Sequence, residues 1–238
     1  MRGNTAAKGM VFMKQSTKKM DVRQLTVTAM LTALAYAIAA ASSLLMPIKI
    51  QGILSLEIKD CILTIGAFIF GPVTGLLMTV VVAFLEFITV STTGWIGMVM
   101  NILSSAAFVC PAAMIYKSHR KVSGAVIGLA VGTVTVTVVM LLWNYIITPL
   151  YMQVAREMVV SMLIPVFLPF NLLKASLNGA LTMLLYKTVV QVLRKAHLLP
   201  PSDHGPRDHK KTSAAVMSIA FVCAVTLLLT ALAWSGIL

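Results

Sequence analysis

The sequence predicts an all-α integral membrane protein with a six-helix core and a seventh, C-terminal transmembrane helix. Apolar residues make up 59% of the chain and charged residues only 11%, whereas a soluble domain carries about 25% charged residues. The apolar residues fall into runs, most of them close to the ~20 residues that cross a bilayer as a helix. Lys and Arg outnumber Asp and Glu by 19 to 7. They lie mostly in short clusters between the runs, which is typical of cytoplasmic loops and not of a nucleic-acid binder.

The first three predicted spans end at turn residues or polar segments. The first span, 25–46, follows a basic tail and leads into a polar segment at 47–60. The second span, 61–70, is short and stops at a Gly-Pro pair, because both residues interrupt helices. The third span, 73–90, holds one acidic residue.

The next three spans complete the core. The fourth, 97–116, is followed by the basic cluster 117–121, and the fifth is 122–147. A loop at 148–157 leads to the sixth, 159–192. The predicted domains are a basic cytoplasmic tail at 1–22, the six-span core at 23–195, a polar cytoplasmic linker at 196–212 and the additional helix at 213–238.

The basic clusters also predict the orientation in the membrane. The tail, the cluster 117–121 and the segment 187–211 fall on one side of a six-span topology. Lys and Arg accumulate on the cytoplasmic side, so the N-terminus is expected in the cytoplasm. The polar segments 47–60, 91–97 and 148–157 then face outward, and the protein is expected in a cell membrane.

The sixth span carries polar residues at membrane depth. Asn171, Lys174 and Asn178 are spaced i, i+3 and i+7, so a helix places them on one face. A charged group there costs roughly 2.5–3.5 kcal/mol on insertion scales, which makes it a functional-site hypothesis. Lys174 binds a ligand, reaches the outer interface, or pairs with Glu86. Asn178 lies deeper and is expected to serve helix packing.

The first span contains two rows of alanines. Ala29, Ala33, Ala37 and Ala41 recur every four residues, and Ala35 and Ala39 form a second row. Small residues at this spacing allow helices to approach closely in lipid. The first row is either an internal helix contact or a docking face for a partner membrane protein.

Motifs for catalysis, ATP hydrolysis and metal binding are missing from the sequence. It contains neither GxxxxGK[ST] nor HExxH. Cys61, Cys110 and Cys223 lie in or beside apolar runs, as small buried residues do. We therefore expect no enzyme activity and no metal site.

Four sequence blocks follow one another between about residue 22 and residue 195. They are the alanine rows after Arg23-Gln24-Leu25-Thr26, Leu54–Asp60 leading into Gly66–Gly75, Trp143-Asn144-Tyr145 with Thr148–Tyr151, and Pro169–Lys174. Together these blocks resemble the substrate-binding S components of energy-coupling factor (ECF) vitamin transporters, and most closely the riboflavin-specific type.

The resemblance implies a fold, a ligand and partners. It implies six helices and a pocket near the outer side, covered by the loop after the first span. The ligand would be riboflavin, with FMN left open, carried as cargo and without a further cofactor. The partners would be a transmembrane coupling protein, docked on the row from Ala29 to Ala41, and two cytoplasmic ATPases. An S component for another vitamin, or an unrelated secondary transporter, are the alternatives.

The resemblance also implies the ligand-binding residues. They are Asn171, Lys174, Asn144, Asn101, Leu56 and Glu86. Glu86 is a departure, because a neutral or basic residue is expected there; it contacts the ligand, caps the connector or pairs with a lysine. The C-terminal apolar run is a second departure. For each Asn, an interhelical hydrogen bond is the alternative.

Three side chains are candidates for packing on a flavin ring: Leu56, already named, and in addition Phe170 and Trp95. For Trp95 an interfacial aromatic belt is the alternative. Glu57 and Asp60 are interpreted as residues of a solvated loop.

Overall fold

The computed structural model describes residues 22–45, 49–50, 54–55, 57–91 and 93–199. Helices make up the regular structure of the described residues, apart from one pair of two-residue strands. The predicted basic tail, most of the polar linker and the predicted seventh helix lie outside the described residues, so these predictions stay predictions.

Eight α-helices form the described fold. They are α1 (Val22–Leu45), α2 (Asp60–Phe70), α3 (Pro72–Thr89), α4 (Gly94–Ser118), α5 (Val122–Ile146), α6 (Thr148–Met152), α7 (Arg156–Met162) and α8 (Leu168–Lys195). A π-helical turn, Leu163–Phe167, joins α7 to α8. Strands β1 (Lys49–Ile50) and β2 (Leu54–Ser55) pair antiparallel between α1 and α2.

Five helical segments of the described chain are long and apolar enough to cross a membrane: α1, α3, α4, α5 and the continuous stretch from α7 through α8. Many of their large apolar side chains are exposed. This arrangement suits helices whose outer faces contact lipid, and it confirms the predicted all-α membrane fold.

Helix α2 is the sixth core helix, and it lies inside the bundle. It has 11 residues, or ~16 Å of helix, against a hydrocarbon thickness of ~30 Å. Residues 60–68 are all buried, because α1, α3, α4 and α8 pack around the helix. A helix that is apolar on all sides is stable when it is enclosed in this way. As a result, the first turn of α2 lies in the protein interior.

The sixth predicted span and the loop before it differ from the sequence prediction. The loop at 148–157 contains the short helix α6 and the beginning of α7. The sixth span is interrupted by the π-helical turn, which contains Pro165. Proline has no N–H to donate to the preceding turn, and helices often widen locally where one hydrogen bond is lost.

The two ends of the bundle have different chemistry. At the end formed by the start of α2 and the start of α8, charged and amide side chains are buried. At the opposite end, Phe68 stacks on Tyr116 with ring centroids 4.3 Å apart. The hydroxyls of Tyr116 and Tyr186 are hydrogen-bonded there at 3.0 Å. The polar end is therefore the candidate for a ligand site.

Candidate functional site

A buried lysine holds the polar end of the bundle together. Lys59 immediately precedes α2 and is only 2% exposed. Its Nζ donates to both carboxylate oxygens of Glu86 on α3, each at 2.6 Å. The same Nζ lies 2.8 Å from Oε2 of Glu57. The ammonium group of Lys59 therefore joins the segment before α2 to α3 through Glu86, and it also pairs with Glu57 within that segment.

The charges of Glu57 and Lys59 stabilise each other. Burial raises the pKa of the Glu57 carboxyl, but the ammonium groups of Lys59 and Lys174 outweigh burial and lower this pKa to about 2. Burial lowers the pKa of Lys59, but Glu57 and Glu86 outweigh it and raise this pKa above its ordinary value. Both groups are therefore ionised at neutral pH.

Two further hydrogen bonds extend this group to α4. The Nδ2 of Asn101 donates to Oε2 of Glu86 at 3.1 Å. The hydroxyl of Ser105 donates to Oδ1 of Asp60 at 2.6 Å, and Asp60 is only 4% exposed. We call Glu57, Lys59, Asp60, Glu86 and Lys174 the ion cluster.

Helix α8 contributes the polar stripe that the sequence predicts. Lys174 lies 3.5 Å from Oε2 of Glu57, which joins α8 to the segment before α2. Asn171 is buried, and its Nδ2 donates to the carbonyl of Phe167, one turn earlier, at 2.7 Å. Its Oδ1 is the acceptor end of the side chain, so Asn171 can still bind a donor.

Asn178 has a structural role, as its depth suggests. Its Oδ1 accepts a hydrogen bond from the backbone N–H of Cys61 at 3.0 Å. Its Nδ2 donates to the carbonyl of Glu57 at 2.9 Å. Asn178 thus caps the start of α2 from α8 and holds the ion cluster against that helix.

A small cavity lies beside the ion cluster. Its volume is about 10 Å³, which is space for about one water molecule. Its lining side chains come from α2, α4, α5 and α8: Asp60, Ser104, Phe108, Val136, Asn171, Lys174 and Ala175. Asn171, Lys174 and Asp60 therefore line one cavity together.

The remaining predicted ligand residues have different surroundings. Asn144 is buried near the end of α5, where its Nδ2 donates to the carbonyl of Met140 at 2.7 Å and its Oδ1 accepts from Thr148 at 2.9 Å. Asn101 contacts Glu86, which is itself a member of the ion cluster. Leu56 lies outside the described residues.

Two aromatic candidates have opposite environments. Phe170 is buried at the start of α8, next to Asn171. Trp95 is 67% exposed at the start of α4. A tryptophan so exposed at the end of a span suits an interfacial belt.

The structure corrects two interpretations of charged residues. Glu57 and Asp60 are not residues of a solvated loop, because Asp60 is buried and the Glu57 side chain is only 12% exposed. The suggested pair between Lys174 and Glu86 is also wrong. Lys174 contacts Glu57, and Glu86 contacts Lys59.

Lys59 is the central residue that sequence reasoning missed. It stands in a polar segment with charges on both sides, and such a segment is normally solvated. The isolated Glu86 in an apolar span indicates that a buried basic residue exists, because a buried acid requires a buried partner.

The predicted docking row lies on the outer face of α1. Ala29, Ala33, Ala37 and Ala41 are all exposed. In contrast, Ala35 and Ala39 are 0% and 1% exposed and pack inside the bundle. The second row therefore makes the internal contact, and the first row remains free of the other described helices.

Comparison with known proteins identifies the family. The model for "ECF transporter, substrate-specific component" matches residues 23–186, which is most of the chain. The chain belongs to the substrate-specific components of ECF transporters. It is thus a membrane-embedded transport component and not an enzyme, and the alternative of an unrelated secondary transporter is excluded.

Individual relatives agree with this assignment. The Riboflavin transporter RibU of Staphylococcus aureus (strain TCH60) is 28% identical over 60% of this chain and 78% of its own. The Riboflavin transporter FmnP of Bacillus subtilis (strain 168) is 24% identical over 75% of this chain and 100% of its own. A solved S component of a bacterial ECF transporter superimposes with a TM-score of 0.60 and 28% identity, covering 72% of this chain and 98% of the solved one.

Proposed function

We propose that this S component binds riboflavin at the polar end of the bundle. It delivers the vitamin into the cell with an ECF transmembrane coupling protein and two cytoplasmic ATPases. The observation that carries the proposal is that Asn171 and Lys174 line the same cavity, in a chain whose two cited relatives are named riboflavin transporters.

The chemistry of the cavity suits a flavin. Riboflavin combines a flat aromatic ring, whose edge carries carbonyl and N–H groups, with a polyhydroxy tail. Asn171 offers donors and an acceptor, and Lys174 offers donors only. Phe108 and Val136 supply apolar lining, and a ligand site typically combines such surface with a few placed polar groups.

Binding requires the cavity to open. A flavin ring is much larger than the present cavity of about 10 Å³. The contact between Lys174 and Glu57, at 3.5 Å, is the longest ion pair in the cluster. We expect it to separate first, because it joins α8 to the segment before α2 and a longer pair is weaker.

The decisive experiment is a flavin titration of the purified full-length protein. Quenching of riboflavin fluorescence on binding gives Kd for the wild type and for Asn171→Ala and Lys174→Ala. Each variant should bind at least ~10-fold more weakly, as expected when a polar ligand contact worth about 1.4 kcal/mol is lost. Lys187→Ala is the control, because Lys187 is exposed on the same helix.

Two outcomes would contradict the proposal. A wild-type protein that binds no riboflavin, but binds another vitamin in a competition panel, would move the chain to another substrate. Unchanged affinity in both variants would remove Asn171 and Lys174 from the site.

Docking of the coupling protein is tested separately from binding. We expect Ala33→Leu to abolish riboflavin uptake by cells and to leave the Kd of the purified protein unchanged. Ala130→Leu is the matched control, because Ala130 is an exposed alanine on α5. Uptake by Ala33→Leu at the control level would place the docking face elsewhere.

A further inference from the structure

A second concave site lies between the end of α4 and the start of α5, at the end of the bundle opposite the ion cluster. Its volume is about 460 Å³, which is within the ~300–1,000 Å³ usual for small-molecule sites. We call it the α4–α5 groove. It shares no lining residue with the cavity beside the ion cluster, so it is not part of the candidate riboflavin site.

The lining of the α4–α5 groove changes from polar to apolar along the helices. Ser118, His119 and Ser123 form a polar rim where α4 ends and α5 begins. Met114 and Ile127 form an apolar floor, one turn or ~6 Å inside the two spans. Both are more than half exposed, so in a membrane the floor is open to acyl chains while the rim lies near the membrane surface.

The rim is already folded into place. A Cβ at Gly124 would clash with the backbone carbonyl of His119, so glycine allows the turn to lie directly against the first turn of α5. The same carbonyl accepts a hydrogen bond from the backbone N–H of Lys121 at 2.7 Å. A ligand at the groove therefore pays little to order this turn.

The rim is bordered by positive charge. Lys117, Arg120 and Lys121 are exposed, and they directly adjoin lining residues in the sequence. None of the three forms an ion pair with a carboxylate among the described residues. The sequence holds no Asp or Glu between Glu86 and Glu157, so both helices that form the groove lack acids. The charge is thus complementary to an anion.

We propose that the α4–α5 groove binds an anionic phospholipid of the surrounding membrane, with the phosphate at the rim and an acyl chain over the floor. Basic pockets between membrane helices bind anionic headgroups, and each Lys or Arg near the membrane surface contributes about 5-fold in affinity. His119 and Ser123 add hydrogen-bond donors for phosphate oxygens. A soluble phosphate compound would leave Met114 and Ile127 uncovered, so a lipid is the occupant that matches both parts. This inference is independent of the proposed riboflavin function.

The test measures lipid binding by native mass spectrometry of the delipidated full-length protein in detergent. The probes are phosphatidylglycerol, which is anionic, and phosphatidylcholine, which is zwitterionic, with identical acyl chains. The first phosphatidylglycerol should bind at least ~10-fold more tightly than the first phosphatidylcholine. Glycerol phosphate at the same concentration has the phosphate but no acyl chain, and it should not displace the phosphatidylglycerol.

One pair of double variants separates the groove from general electrostatic attraction. Lys117→Ala/Lys121→Ala should weaken the binding of phosphatidylglycerol at least ~10-fold and leave that of phosphatidylcholine unchanged. Arg194→Ala/Lys195→Ala is the matched control, because it removes the same charge from exposed positions at the end of α8. The control should retain the wild-type affinity for both lipids.

A second pair of variants tests the apolar floor without changing any charge. Ile127→Trp fills the groove and should weaken the binding of both lipids at least ~5-fold, because a filled site must distort to admit a chain. Val134→Trp is the control, because Val134 is exposed further along the same helix and does not line the groove. Thermal unfolding followed by circular dichroism shows whether each variant is folded.

Four outcomes would overturn the proposal. Equal affinity for the two lipids would remove the anion preference, and an equal loss in the two double variants would indicate attraction by net charge alone. Displacement by glycerol phosphate would make the groove a site for a soluble phosphate compound. A full-length protein that binds neither lipid would have another occupant in the groove, and the predicted helix at 213–238 would be the first segment to test.

Discussion

Burial of Lys59 costs hydration free energy, yet removal of Lys59 alone would destabilise the folded protein. A lysine that is 2% exposed has lost nearly all its hydration, and only its contacts with Glu57 and Glu86 compensate for this loss. Buried paired charges such as Lys59, Glu57 and Glu86 add little net stability compared with well-packed apolar residues at the same positions. Removing one member alone, however, leaves uncompensated charge in the interior.

The first prediction concerns the pair of Lys59 and Glu86. Lys59→Met should lower the free energy of unfolding by about 3–5 kcal/mol, because it leaves Glu86 buried without a cation. The double variant Lys59→Met/Glu86→Leu should recover most of this loss, since Glu57 keeps Lys174 as a partner. Denaturant unfolding in detergent measures the free energy of unfolding of the single and the double variant. Lys187→Met, at an exposed position, is the control. A double variant that is less stable than Lys59→Met would contradict the pairing.

The second prediction concerns pH. The pKa of Glu57 falls from 4.5 to about 2 on folding, so the folded state favours its carboxylate. The stability that this provides is fully present above pH 4.5 and is lost as the pH falls towards 2. The thermal midpoint of Glu57→Gln should therefore lie below that of the wild type at pH 7, and the two should converge below pH 4.5. Glu157→Gln should show no such convergence; a constant difference at all pH values would argue against the ion pairs.

The sequence predicts one part of the site much better than the other. Asn171 and Lys174 stand in an apolar span at helical spacing, so their shared face follows from the sequence alone. Lys59 and Glu86 are 27 residues apart, and no periodicity relates them. Their pairing depends on α2 lying inside the bundle, which is a property of packing.

At the scale of elements, the contact of α4 with α5 fixes one wall of the cavity. Gly128 and Gly132 lie on the face of α5 that meets α4. A Cβ at either position would come 2.6 Å from a backbone oxygen of α4, that of Ala112 or of Phe108 respectively. Glycine at this spacing allows two helix backbones to approach closely in a membrane. Phe108 also lines the cavity, so this interface determines the shape of the site.

The third prediction tests this interface. Gly132→Leu should push α5 away from Phe108, lower the thermal stability of the protein in detergent and weaken riboflavin binding. Gly132→Ala should show the same defects to a smaller degree. Ala130→Leu adds comparable bulk to the same helix at an exposed position and should behave as the wild type. Normal stability and binding in Gly132→Leu would mean that the two helices can separate without affecting the site.

Helices were easier to predict than their interruptions. The long spans follow from apolar runs bounded by turn residues and charges, and their observed bounds lie close to the predicted ones. The π-helical turn at Leu163–Phe167 was not predicted, since Pro165 is compatible with a kink, a break or a widened turn. Tertiary packing selects among these.

At the scale of the whole molecule, the charges define two ends. Lys117, in the last turn of α4, and Arg120 and Lys121, between α4 and α5, form an exposed basic cluster. The ion cluster and the cavity lie at the other end, where α2 and α8 begin. If the exposed basic residues face the cytoplasm, the candidate site opens towards the outside, where an importer must capture its substrate.

The last prediction tests this orientation directly. In a variant without native cysteines, Ala155→Cys should react with a membrane-impermeant maleimide added to intact cells, because it lies between α6 and α7 at the end that holds the site. Ser118→Cys, beside the basic cluster, should react only after the membrane is permeabilised. Both positions are small and exposed, so different labelling reports sidedness and not burial. The reverse pattern would place the cavity on the cytoplasmic side, and direct capture of external riboflavin at the ion cluster would then be impossible.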